Sequence, residues 1–454
     1  MQARWRHETI AFVTNAADNP LDHPLDASLD QLLDPLLGPW LKGYPAAAGP
    51  LRRSQVGAQG WHLLGGDVPL PLAVIRTSAL AHNLQWMQGF AATRGVGLAP
   101  HGKTTLSPQL FQAQVGAGAW GITVANAAQA QVAVAAGVRR VLVANQVLTA
   151  PELGALQQML AQYPGLRIVF LLDSPAQLAL IEAVSPPTPF EVLLEVGIPG
   201  GRTGCRTHDE ALALARLAQA SPAVRLVGVE GYEGLGATGD EAQDRPMAEA
   251  LMARIAAVAQ ALEAEGLFDT VDPAEPVLLS AGGSGVFDLV APGLRPALSR
   301  PVQGLLRSGC YLTHDHGRYQ RLVSVLNRRI GCDASAGLQA ALEVWATVQS
   351  MPEPGLAILT AGRRDVSYDI EMPIPVRRCA RGEGVPRPVP EGWHVSGMND
   401  QHAYLRLGAD DAGLQVGDRV ALGISHPCTT FDKWRWMALV DDDWRIVDAL
   451  VTWF

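Results

Sequence analysis

The chain has 454 residues, 48% of them hydrophobic and 17% charged, with a formal net charge of −9. That length suggests two or three domains. The acidic balance and the lack of a basic block argue against nucleic acid and anionic membrane as partners, and no apolar run reaches the ~18 residues of a spanning helix.

Residues 1–7 are polar and basic, without the apolar core of a signal peptide. The five cysteines, Cys205, Cys310, Cys332, Cys379 and Cys428, are scattered and form no CxxC pair. This pattern is expected of a reducing cytoplasm. At least one thiol is expected to be a ligand or reactive group, and the others small buried apolar groups.

In chain order, residues 29–41 place Leu32, Leu33, Leu36 and Leu37 at helical spacing, although Pro35 and Pro39 interrupt them. Residues 1–70 therefore read as a helical extension that packs on the main body and carries no chemistry. Residues 72–76 read as a short strand and residues 78–92 as a helix. A strand-helix rhythm follows, with strands expected at residues 96–99, 121–125, 140–144, 168–172, 191–196, 226–229, 277–280 and 302–306. Most are continuous aliphatic runs, as in a parallel sheet buried on both faces, and alanine-rich segments such as 127–136 and 248–265 lie between them. Eight units over residues 71–325 predict an α/β fold of the TIM (β/α)8 type, with a doubly wound sheet as the alternative. Short alternating runs from residue 326 to 454 predict a smaller all-β domain, with strands at 341–348, 356–360, 389–395, 403–407, 419–422, 436–440 and 445–454.

Barrel enzymes build their sites where strands end, so the residues after each expected strand are the candidates. Pro100-His101-Gly102-Lys103-Thr104 follows the first. A lysine at the mouth of a strand is placed to hold a carbonyl cofactor as a Schiff base, although a lone loop lysine is more often simply solvated. Asn126, Asn145 and Asp173 follow later strands. Arg202, in a glycine-rich GGRTG turn, suits a phenolic oxygen or a carboxylate, or is a surface arginine. Tyr232 either lines a ring or packs. Gly282, Gly283, Ser284 and Gly285 offer bare N–H groups and a hydroxyl to a phosphate, or form a flexible turn. In the second domain, His426 and Cys428 lie two apart. On an extended strand they face one way, and imidazole with thiolate favours zinc; the alternative is a structural pair. His402 is a further polar group expected near that cleft.

Nine stretches, in order, resemble the D-serine dehydratase-like group of fold-type III pyridoxal phosphate enzymes: PHGKT at 100–104, AGAWGITVAN at 117–126, VGIPGGRTG at 196–204, EGYEG at 230–234, SAGGSG at 280–285, RSGCY at 307–311, GRRDVSYD at 362–369, NDQH at 399–402 and SHPCTTFDKW at 425–434. They are most similar to the branch of amino acid deaminases, or D-serine deaminase-like proteins, and exclude the first 70 residues. The resemblance implies an alanine racemase-like barrel holding pyridoxal 5′-phosphate on Lys103, with His101, Arg202 and Tyr232 bordering it. The phosphate is expected on Gly282, Gly283 and Ser284. It also implies a zinc ion, or another divalent metal, on His426 and Cys428, in a homodimer. Related aldolases carry His-x-Asp, so Cys428 favours dehydration of D-serine- or D-threonine-type substrates over retro-aldol cleavage. A racemase and a non-catalytic cofactor carrier are the remaining alternatives. Ala99 stands where many relatives have arginine, which bears on the size or charge of the substrate.

Overall fold

The computed structural model describes residues 26–234, 236–268, 272–333 and 335–454. Residues 1–25 of the expected extension therefore lie outside the described residues. The helix expected over residues 29–41 is shorter: α1 (Asp26–Leu33) stops just before Pro35, which lacks the backbone donor a continuing turn needs. Leu36 and Leu37 instead form β1 (Leu36–Leu37), paired antiparallel with β2 (Leu51–Arg52). The chain then runs through β3 (Leu72–Arg76) and α2 (Thr77–Thr93) into the barrel.

Eight parallel strands make the barrel: β4 (Gly97–Leu98), β5 (Ile122–Val124), β6 (Arg140–Gln146), β7 (Arg167–Leu172), β8 (Phe190–Val196), β9 (Val224–Gly231), β10 (Val277–Ala281) and β11 (Val302–Leu306). Each lies beside its sequence neighbour, and β11 returns to β4. The ring closes between β4 and β5, where the Trp120 N–H donates to the Leu98 carbonyl at 2.7 Å and the Thr123 N–H to the Pro100 carbonyl at 2.9 Å. Its outer helices are α3 (Pro108–Gly116), α4 (Ala127–Ala135), α5 (Ala150–Gln162), α6 (Pro175–Ala183), α7 (His208–Ala220), α8 (Glu241–Ala264), the single turn α9 (Phe287–Val290) and α10 (Arg318–Ile330). Among the described residues, no helix is long and apolar enough to cross a membrane.

Successive strand residues face opposite sides, so every second residue points into the barrel. Leu142, Ala144, Val169, Leu171, Leu193, Val227, Leu278 and Leu305 form the dry inner layer. Two residues before these positions the inner files turn polar, and Arg140, Arg167, Glu191, Arg225 and Gln303 line a cavity of about 980 Å³ at the barrel base. Two residues after them come Gln146, Glu195, Ser280 and Arg307. This upper polar layer lies at the end where the strands run out toward Lys103.

The second domain contains β12 (Leu342–Glu353), β13 (Leu356–Leu359), β14 (Ile374–Cys379), β15 (Arg387–Pro388), β16 (His394–Met398), β17 (Ala403–Arg406), β18 (Arg419–Gly423), β19 (Trp436–Val440) and β20 (Ile446–Val451). Its sheet runs β15-β14-β18-β12-β13-β17-β16, and β19 and β20 extend it through β3. Three expectations change here, the first being the strand expected over 389–395, which begins only at His394. Residues 72–76, read as the strand that opens the barrel segment, pair with β12 and β19, so the chain contributes to the β-domain before entering the barrel. Residues 374–379 form a strand that the sequence reading missed, because IPVRRC mixes apolar residues with arginines and lacks clean alternation.

Candidate active site at the barrel mouth

Lys103 projects, exposed, from the single 3-10 turn Gly102–Thr104 immediately beyond β4. His101 precedes that turn and bridges to Thr123 of β5. Its Nδ1 is enclosed without a hydrogen-bond partner. Burial, then the positive charges of Lys103, Arg307 and Arg202, hold this imidazole well below its usual pKa, so the ring is neutral at neutral pH.

Beneath them lies a buried ion pair. Arg307 Nη2 is 2.8 Å from Glu230 Oε2, with side-chain exposures of 6% and 1%. Arg307 also donates to Ser280 Oγ at 2.6 Å and to the Gly231 carbonyl at 3.2 Å. Burial pushes the Glu230 carboxyl up to about 7, against the pull of Arg307. Glu195, the neighbouring inward carboxylate, accepts the Thr203 hydroxyl at 2.6 Å and an amide hydrogen from Gln146. Above this layer the Arg202 guanidinium lies 5.2 Å from the Tyr232 ring centre, within cation–π range. Burial, then Glu233, push the Tyr232 phenol up to about 12.

Gly282, Gly283 and Ser284 follow β10 at the same mouth. The Ser308 hydroxyl donates to the Gly283 carbonyl at 2.7 Å, and the Cys310 N–H to Ser284 Oγ at 3.3 Å. The Gly283 N–H is taken by Glu233 Oε1 at 2.5 Å. A Cβ on Gly283 would stand 2.8 Å from that oxygen and 3.1 Å from the Tyr232 ring, so any larger residue would have to displace the Glu233 carboxylate. Glu233 Oε2 is enclosed without a partner, and burial raises the Glu233 pKa.

The β-domain adds the fourth side of the site. His426 and Cys428 are not on an extended strand as expected, because β18 ends at Gly423 and Pro427 is helical. Cys428 opens the one-turn helix α11 (Cys428–Phe431), and it is this turn, not strand alternation, that sets the positions of the two side chains. Asp369 Oδ2 lies 2.6 Å from His426 Nδ1, and Asp369 Oδ1 accepts the Thr429 hydroxyl at 2.6 Å. Burial works to lower the His426 pKa, but the bonds to Cys428 and Asp369 outweigh it and raise the ring to about 9. Cys428 Sγ is hydrogen bonded to Thr104 Oγ1 at 3.4 Å and to Cys310 Sγ at 3.8 Å. These contacts tie the second domain to the lysine turn. The Cys310 hydrogen bond, helped by His426, holds the Cys428 thiol well below its usual pKa although burial opposes this. Among the described residues, no three His, Cys, Asp or Glu side chains form a ready-made metal group. His402 lies in the β16–β17 hairpin, where its carbonyl accepts the Asn399 N–H at 2.9 Å.

Other candidates have structural employment. Asn126 caps α4 by accepting the Gln129 N–H at 2.9 Å. Asn145 donates to the Ala125 carbonyl at 2.7 Å, and Asp173 accepts the Gly204 N–H at 3.2 Å. The sequence reading noted Glu230, Glu233, Arg307 and Cys310 in the stretches after the sixth and eighth expected strands, and Asp369 in GRRDVSYD, but gave none of them a role, and it did not single out Glu195. Strand alternation pointed inward for Glu195 and Arg307; Asp369 and Cys310 lay in two of the nine stretches, but local pattern gave them no role, because their partners lie 57 and 118 residues away.

Residues 75–294 match the family described as alanine racemase, N-terminal domain, and residues 341–440 the family described as putative serine dehydratase domain. The chain is 27% identical over 381 residues to a D-threonine aldolase of an Arthrobacter species, covering 83% of this chain and 90% of that protein. It is 29% identical over 373 residues to D-threo-3-hydroxyaspartate dehydratase of Delftia sp. strain HT23, covering 79% and 91%. A solved histidine-to-alanine variant of D-threo-3-hydroxyaspartate dehydratase superposes with a TM-score of 0.67 at 26% identity, over 87% of this chain and 97% of the other. A cysteine-to-alanine variant, two positions further on and in its metal-free form, gives 0.65 at 27% identity, over 85% and 97%. With an alanine racemase-type barrel, a serine dehydratase-type β-domain and these relatives spanning most of its length, the chain belongs to the D-serine dehydratase and D-threonine aldolase family of fold-type III pyridoxal phosphate enzymes.

Proposed function

We propose that this family member is a dehydratase of the D-serine deaminase-like branch, converting β-hydroxy D-amino acids such as D-serine and D-threonine to 2-oxo acids and ammonia. The observation that carries this reading is the placement of His426 and Cys428 at one turn, the imidazole oriented by Asp369 and the thiol facing the Lys103 turn through Thr104. Imidazole with thiolate suits zinc rather than the harder cations that an all-oxygen site selects. The carboxylate on the far ring nitrogen is the usual partner of a metal-bound histidine. The relative whose histidine and cysteine two positions apart were changed, the latter variant solved in its metal-free form, is itself a dehydratase.

The residues present also fit the cofactor. Lys103 is exposed at the mouth, and the Gly283 N–H already holds one anion, the Glu233 carboxylate. His101 Nδ1 is an enclosed polar atom with no partner. When bound, pyridoxal phosphate supplies an electron sink for a carbanion at Cα, and the divalent ion a Lewis acid for the departing hydroxyl. Lys103 Nζ takes the Cα proton. Arg202 offers a guanidinium for the substrate carboxylate. Neutral His101 leaves the positive charge at the mouth to Lys103, Arg202 and Arg307. Asp369 holds the His426 ring by Nδ1 and leaves Nε2 for the ion.

The test is a 2-oxo acid assay on purified holoenzyme with D-serine, D-threonine and their L forms, before and after chelation. Oxo acid from the D forms alone, lost on chelation and restored by zinc, supports the reading. Glycine and aldehyde would move the protein to the aldolases.

A further inference from the structure

We propose that Cys310 is a third protein ligand of the metal site, so that the ion is held by two thiolates and one imidazole with its fourth position open to substrate. This rests on the reading of His426 and Cys428 as metal ligands, and it joins a barrel residue to a β-domain residue through the ion.

The spacing is the first argument. Cys310 Sγ and Cys428 Sγ are 3.8 Å apart. Two thiolates bound to one tetrahedral zinc at about 2.3 Å each stand about 3.8 Å apart. The thiols therefore already have the separation that an ion would impose.

The coordination number is the second. Catalytic zinc keeps three protein ligands and one exchangeable position, whereas His426 and Cys428 alone leave two positions unfilled. Asp369 is committed to His426 Nδ1 at 2.6 Å and to Thr429 at 2.6 Å. Thr104 offers only a neutral hydroxyl, 3.4 Å from Cys428 Sγ. Cys310 is the soft ligand left beside Cys428, and it is 5% exposed. The two thiols hydrogen-bond to each other. Ion binding replaces that S–H···S bond by two metal–sulfur bonds, and the thiol protons pass to solvent.

Position is the third. Cys310 follows β11 in the barrel, and its own N–H donates to Ser284 Oγ in the expected phosphate cradle. Cys428 belongs to the β-domain. An ion on both sulfurs fixes the β-domain against the cofactor end of the barrel. A two-ligand ion on His426 and Cys428 would leave that junction to packing.

The experiment uses holoenzyme stripped of metal under a thiol reductant and titrated with Co²⁺. The readouts are the thiolate-to-cobalt charge-transfer absorbance and the dissociation constant, for the parent chain, Cys310→Ser, Cys428→Ser and Cys310→Asp. Near-ultraviolet circular dichroism confirms that each variant is folded. The expected result is about half the parent charge-transfer intensity in either serine variant, with ten-fold or greater loss of affinity. Cys310→Asp should recover affinity as an oxygen ligand while the sulfur band stays halved. Parent-like intensity and affinity in Cys310→Ser, with the loss confined to Cys428→Ser, overturn the third ligand and leave the His426–Cys428 site standing. No cobalt band in the parent chain, or one indifferent to Cys428→Ser, overturns both.

Discussion

Arg307 and Glu230 form an ion pair of 2.8 Å in the upper inner layer of the barrel, almost wholly out of water. Removing one member of a buried pair strands the other, at a cost of about 3–5 kcal/mol. Arg307→Leu is therefore expected to lower the unfolding temperature markedly, and adding Glu230→Gln should restore part of the loss. Thermal and denaturant unfolding of the two single variants and the double variant checks this.

Glu230 also predicts a pH trend. Its carboxyl is pushed up to about 7 from 4.5 by burial. A folded-state pKa above the unfolded value means that the fold prefers the protonated form. The group therefore opposes folding, with a penalty absent below about 4.5, growing as pH rises, and complete above about 7. The stability difference between Glu230→Gln and the parent should shift in favour of the variant across that window. A difference that is flat with pH would contradict the assignment.

Glu233 occupies the N–H of Gly283, where the cofactor phosphate is expected. Its ionised carboxylate competes with that phosphate, and burial raises its pKa, so competition strengthens as pH rises. Glu233→Gln should bind pyridoxal phosphate several-fold more tightly than the parent at alkaline pH, with the two converging toward acid pH. Fluorescence titration with the cofactor measures this. Gly283→Ala should weaken cofactor binding at every pH, because its Cβ would meet Glu233 and the Tyr232 ring.

Asp369 holds His426 by Nδ1 at 2.6 Å. Loss of a carboxylate partner of this kind costs about 10–100-fold in metal affinity. Asp369→Asn should weaken Zn²⁺ binding by that factor while cofactor absorbance stays unchanged. Competition with a chelating dye gives the affinity.

Lys103→Ala should abolish the absorbance of covalently held cofactor without unfolding the protein, because the side chain is exposed. Spectra taken before and after borohydride treatment, with peptide mapping, identify the attachment site. Retention of a reducible cofactor on another lysine would remove Lys103 from its role.

The barrel was legible because its strands are buried on both faces. Val141–Val143 and Ile168–Leu172 are unbroken apolar runs, and such runs identify themselves without knowledge of their neighbours. The β-domain was less legible. β14 carries arginines among its apolar residues, and β3 looks like any short strand until its partners, 267 to 273 residues away in β12, are known. Local pattern fixes the type of an element but not its partner.

The same division runs through the site. Lys103, Gly283, His426 and Cys428 stood out from their local chemistry, and sequence alone determined which ligand types were on offer. Only the tertiary structure decided that Glu233 meets Gly283, that Asp369 meets His426, and that Cys310 lies 3.8 Å from Cys428. Those contacts join residues 50, 57 and 118 positions apart. The first is fixed by the pairing of β9 with β10, the second by the fold of the β-domain and the third by packing of that domain on the barrel, and none by the periodicity of any one segment.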